Sequence, residues 1–97
     1  MSDLAESYRQ VIAKVDEVNG VIAGEAGLNP TDSGQLKTQV QAIKDKTEPE
    51  LLKGHRANSI EQITQTKDNL IAELEAIKSK VGAYAQVAQA KQAAQAA

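Results

Sequence analysis

From Ile60 onward the apolar residues fall at Ile60, Ile63, Leu70, Leu74, Ile77, Val81, Tyr84 and Ala88. With Lys67 filling the one polar step, the spacing is 3, 4, 3, 4, 3, 4, 3 and 4. A strand would scatter this set over both of its faces, whereas an α-helix brings residues three and four apart onto one side. The pattern predicts a helix over 59–90 with a single apolar stripe four heptads long. A helix cannot cover its own stripe, so the rest of the chain, or a partner, has to supply the surface that does.

The first third repeats the device. Leu4, Tyr8, Val11, Val15, Val18 and Ile22 are spaced 4, 3, 4, 3 and 4, and Ile12 and Val21 widen the stripe. A helix over 3–26 follows, with Asp3 and Glu6 as a capping box at the end where the macrodipole favours acid. Its stop is placed at Gly27 as a left-handed cap, with Leu28 as the hydrophobic contact and Pro30 beyond. The run Leu28-Asn29-Pro30-Thr31-Asp32-Ser33-Gly34 reads as a loop. Leu36, Val40 and Ile43 then predict a shorter helix over 33–46, capped by Asp32 or Ser33. Pro49 lacks an N–H and disfavours helical geometry at Glu48, so Thr47-Glu48-Pro49-Glu50 reads as a new start, leading into a helical turn over 49–54. His55 and Arg56 fall in the link after Gly54, and Asn58-Ser59 caps the long third stripe.

The fold class expected is therefore all-α: a small antiparallel three-helix bundle, or an extended helical hairpin, over 1–84. An Ala/Gln-rich helical or frayed tail follows over 85–97. The residues assigned to packing, either core or interface, are Leu4, Tyr8, Val11, Val15, Val18, Ile22, Leu36, Val40, Ile43, Ile60, Ile63, Lys67, Leu70, Leu74, Ile77 and Val81. At position 67 the lysine stem packs while its ammonium reaches water, or the charge fixes register.

Composition narrows function mainly by exclusion. The absence of Cys and the single His remove disulfide frameworks, thiolate metal sites, thiol nucleophiles and His-based ligand sets. The glycines match neither a dinucleotide fingerprint nor a phosphate loop. The expectation is no catalytic residue, no cofactor, no metal and no evident small-molecule substrate. Charge runs from minus 4 over 1–34 through plus 2 over 35–58 to zero over 59–97. That suits neighbouring helices of opposite sign better than nucleic acid, which wants a basic stripe and stacking aromatics. No apolar run approaches the roughly 18 residues of a membrane span. The acidic start Met1-Ser2-Asp3-Leu4-Ala5-Glu6 is unlike a signal peptide, so the chain is expected to begin in the cytoplasm, with a signal-less export route left open.

One segment carries a family resemblance. Ala42-Ile43-Lys44-Asp45-Lys46, then Pro49, Leu51-Leu52 and Ser59-Ile60, resembles locally the hairpin turn of type III secretion needle subunits. The match spans under a fifth of the chain, and Lys46 or Thr47 stands where that family has a second turn proline. It implies a helical polymer with Thr47–Pro49 at the turn between helices. In size and class the chain also resembles the WXG100 type of secreted hairpin, without that family's Trp-x-Gly.

The 21 Leu, Ile and Val residues are accompanied by only two tyrosines as aromatics, and eight of the 16 alanines lie in the last 15 residues. Such a core is thin for a chain of this length. The function expected is a non-enzymatic helical protein–protein interaction or assembly module, with a helical partner or a second copy. The alternative is a signal-less secreted or polymer-forming helical-hairpin subunit of a bacterial secretion apparatus.

Overall fold

The computed structural model describes the backbone of residues 2–96 and the side chains of residues 4–94. Three helices follow in order, α1 (Ser2–Gly24), α2 (Pro30–Arg56) and α3 (Ile60–Ala96). Short connections at 25–29 and 57–59 reverse the chain twice, so α2 runs antiparallel to both others and α1 runs parallel to α3. Each helix packs on the other two. The result is an all-α three-helix bundle with Cα extents of 61 × 16 × 16 Å. Its core is Val11, Val15, Val18 and Ile22 from α1, Leu36, Val40 and Ile43 from α2, and Leu70, Leu74, Ile77 and Val81 from α3.

The helix ends differ in detail from the sequence expectation. α1 stops at Gly24, short of Gly27, and no glycine among the described residues has positive φ. Glu25 and Leu28 instead close the turn, with Glu25 N–H donating to Ile22 O at 3.4 Å and Leu28 N–H to Glu25 O at 3.3 Å. Leu28 still packs on the core. The acceptor at the start of α2 is Asn29, not Asp32 or Ser33: its Oδ1 accepts from Asp32 N–H at 2.8 Å, with Pro30 in the first helical turn where a missing N–H costs nothing. The left-handed cap expected at Gly27 is absent from the end of α1; the residue with positive φ among those described is Asn58, at 56°, beyond the end of α2. There Asn58 N–H donates to His55 O at 2.9 Å and Ser59 N–H to Gly54 O at 3.1 Å, the paired bonds of a Schellman motif. Ser59 then caps α3, its Oγ accepting from Gln62 N–H at 3.1 Å. In the first turn of α1 the Asp3 side chain lies outside the described residues, and Glu6 meets Arg9 and Gln10.

The larger correction is at Pro49. The two pieces expected at 33–46 and 49–54 are one helix, α2, with Pro49 inside it. An interior proline costs about 3 kcal/mol through the lost ladder bond and the clash with the preceding turn. What outweighs it is the face a break would have surrendered: Thr47, Leu51 and Gly54 are all buried, while Pro49 itself is exposed. Burying one leucine is worth about 2 kcal/mol, and Thr47 satisfies its hydroxyl by donating to Ile43 O at 2.7 Å. Thr47–Pro49 is consequently not a turn between helices, as the needle-subunit resemblance implies; that reversal is at 57–59. His55 and Arg56, expected in a link, are in the last turn of α2, where with Lys53 they complement the negative end of the helix dipole.

The buried stripe also drifts from the strict 3–4 alternation. In α3 it runs Ile77, Val81, Ala85, and in α1 it runs Ser7, Val11, Val15, each with two successive gaps of four. An undistorted helix turns every 3.6 residues, so a 3.5-residue seam slides by about 20° per heptad and the neighbouring residue takes over. Hence Ala85 is buried at 4% exposure while Tyr84 stands 37% exposed, and Ser7 is buried while Tyr8 is 40% exposed.

Candidate interaction surface

The midsection of the bundle is closed by charge as well as by packing. Glu75, Lys14, Glu17 and Lys78 alternate in sign across the seam between α1 and α3. Lys14 Nζ contacts Glu75 and lies 2.9 Å from Glu17 Oε2, and Lys78 Nζ lies 2.9 Å from the same Glu17 oxygen. Bonds from Lys78 and then Lys14 hold the Glu17 carboxyl down at about 2, against an ordinary 4.5. Lys14 likewise holds Glu75 below its ordinary value, and the bond from Glu75 is the first cause that raises Lys14 above 10.5. Lys46 reaches Glu73 at 3.1 Å and ties α2 to α3. These pairs bridge neighbouring helices along the midsection, and Lys46 and Glu73 also line an open, mostly polar hollow with Glu50, Thr66 and Asn69.

The packing residues named from the sequence separate into three groups. Val11, Val15, Val18, Ile22, Leu36, Val40, Ile43, Ile63, Leu70, Leu74, Ile77 and Val81 are buried. Leu4 and Lys67 are half-buried, the lysine with its ammonium 2.9 Å from Asp68 Oδ1, so the stem lies on the seam and the charge leaves it. Tyr8 and Ile60 are exposed. Ser7, Thr47, Leu51, Gly54 and Ala85 lie outside the set named from the sequence and are all buried. For Thr47, Leu51 and Gly54 the signal was present: they continue Leu36, Val40 and Ile43 at gaps of three and four once Pro49 is read through.

Gly54 has a packing reason. A Cβ there would lie 2.8 Å from Ile63 Cγ1 and 3.1 Å from the Ile63 backbone nitrogen, so only glycine lets α2 and α3 approach this closely beside their turn.

The exposed large hydrophobics sit at the two ends. Tyr8 and Ile60 lie toward the end where α2 turns into α3, and Tyr84 and Val87 toward the other. At the first end an open groove runs between α1 and α2, with Leu4, Tyr8, Leu51 and Leu52 as its apolar surface and Arg9 and Glu48 at its rim. Arg9 is paired with Glu6 at 3.1 Å, whereas Glu48 has no ion-pair partner among the described residues. At the second end α3 outruns the other helices. Gln89 lies against Gly27 in the α1–α2 connection, and every residue from Gln89 to Ala94 is exposed. Seven further residues at 1.5 Å each carry the helix about 10 Å past that connection.

Among the described residues no three His, Cys, Asp or Glu side chains group as metal ligands, and no helix is long and apolar enough to cross a membrane. Comparison with protein-family models, curated proteins and solved structures finds no match to this chain.

Proposed function

We propose that this chain is a non-enzymatic helical interaction module: a bundle whose midsection supplies stability and whose ends supply binding surface. The observation that supports this most is the groove between α1 and α2, where Tyr8 and Leu52 remain partly open to solvent beside the fully buried Leu51. Helical partners are recognised by laying one apolar stripe into such a groove, with anchors three and four residues apart. An apolar set gathered at the ends, on a surface otherwise dominated by charge, is the distribution expected of an interaction site.

The reading is tested by placing a photoreactive side chain at position 52, in the groove, and in a separate variant at exposed Lys44 on the outer face of α2, then illuminating cells that produce the protein. Discrete adducts from position 52, with none from position 44, are expected. The same adduct pattern from both positions, or none from either, contradicts the reading.

A further inference from the structure

The groove and the overhanging end of α3 have matching chemistry. Tyr84, Val87, Lys91 and Ala94 follow at gaps of 3, 4 and 3, so they form one stripe on the flank of α3. The stripe is distinct from the core-facing side that carries Val81 and Ala85. Val87 is 59% exposed, and Lys91 is the one charged residue between Ala85 and Ala96. Lys91, like Glu48 at the groove rim, has no ion-pair partner among the described residues. The other rim charge, Arg9, is paired with Glu6 just outside the groove. The tail is thus an apolar stripe with one positive charge, and the groove an apolar surface with one unpaired negative charge.

We propose that the α3 tail of one copy seats in the α1–α2 groove of a second copy, with Val87 against Leu52 and Tyr8 and with Lys91 facing Glu48. This rests on the interaction-module reading and names its partner. The tail of the chain continues away from its own groove, at the opposite end of a 61 Å bundle. Occupying a neighbour's groove therefore leaves one groove and one tail free on every pair. The contact is heterologous, so association propagates from copy to copy instead of closing as a symmetric dimer. A short Ala-rich tail buries little area, which makes the contact weak and dependent on concentration.

Sedimentation velocity on the purified full chain tests this. The weight-average sedimentation coefficient of the wild type is expected to rise between about 5 and about 500 µM, the range in which small interfaces associate. Val87→Glu and Leu52→Glu both alter exposed or half-buried positions and are expected to keep the helical melt. Each alone is expected to stay monomeric over this range, with association weakened about a hundredfold or more by an uncompensated charge in the contact. Mixed together they are expected to form a 1:1 dimer that grows no further, because one variant keeps a working tail and the other a working groove. Lys91→Glu and Glu48→Lys are each expected to weaken association about threefold, and their combination in one chain to restore it. A wild type that stays monomeric throughout overturns self-docking, while adducts to a different protein from position 52 would still support the broader module. Loss of association with Leu52→Glu but not with Val87→Glu also overturns it, because the groove would then meet something other than the tail.

Discussion

The midsection of the bundle and its two ends are built from similar residues and finish differently. Around Val15, Val40 and Leu74 the three helices bury one another's apolar stripes, and Lys14, Glu17, Glu75 and Lys78 close the α1–α3 seam from outside. At the ends coverage falls away: α3 outruns its neighbours beyond Gln89, with Val87 59% exposed on its flank, and Tyr8, beside the buried Ser7, turns toward a groove walled by α1 and α2. A regular stripe thus tells that a helix forms and which side is apolar. Whether that side is covered by the same chain depends on where the other helices stop.

The contrast can be broken most forcefully in the middle. Leu74 is 0% exposed, and Leu74→Ala is expected to cost about 2–5 kcal/mol by deleting buried methyl groups and leaving a cavity. Chemical denaturation reads this as an earlier midpoint; a shift under about 1 kcal/mol would remove Leu74 from the core. Gly54→Ala comes next. Overpacking against Ile63 costs about 1–3 kcal/mol, offset by about 1 kcal/mol of helix propensity, so a net loss of about 1 kcal/mol is expected. The matched control is Gly20→Ala on the exposed face of α1, where a Cβ meets nothing within 4 Å. There stability should rise by about 0.5–1 kcal/mol, and equal effects at the two glycines would contradict the close approach of α2 and α3.

Acid probes the charged seam. The folded Glu17 carboxyl sits near 2 against an ordinary 4.5, and Glu75 is shifted the same way. Depressed carboxyl values contribute stability that is complete above 4.5 and is lost as pH falls through the folded values. Thermal midpoints should therefore fall between pH 4.5 and 2, and the Glu17→Gln variant should show a flatter dependence. An unchanged slope in that variant would separate the pairs from stability.

Much of this architecture is legible in the sequence because burial repeats at helical spacing. Three apolar stripes announce three helices, and Asn58-Ser59 marks the second reversal before any contact is known. Local rules fail where tertiary packing overrides them. Pro49 argues for a break on its own chemistry, yet Thr47, Leu51 and Gly54 beyond or beside it complete a face that only a continuous helix can bury. Gly27 has the composition of a cap, but α1 has already ended at Gly24 and the left-handed residue is Asn58. The end surfaces are the least legible. Tyr8 and Ile60 satisfy the same spacing as Val11 and Ile63 yet face solvent; the slide that buries Ser7 accounts for Tyr8, while nothing in spacing singles out Ile60. The slide from Tyr84 to Ala85 has a sequence-level signal, the mismatch between 3.5 and 3.6 residues per turn accumulated over four heptads.

The division between a stabilising middle and binding ends is tested most directly by the concentration dependence of the thermal midpoint, measured for the wild type and for Val87→Glu. Association of the folded state raises the midpoint with concentration. The wild-type value is expected to climb from about 5 to about 500 µM protein, while Val87→Glu stays level and coincides with the dilute wild type. A Val87→Glu midpoint displaced below the wild type at every concentration would place Val87 in the fold, and the division would fail.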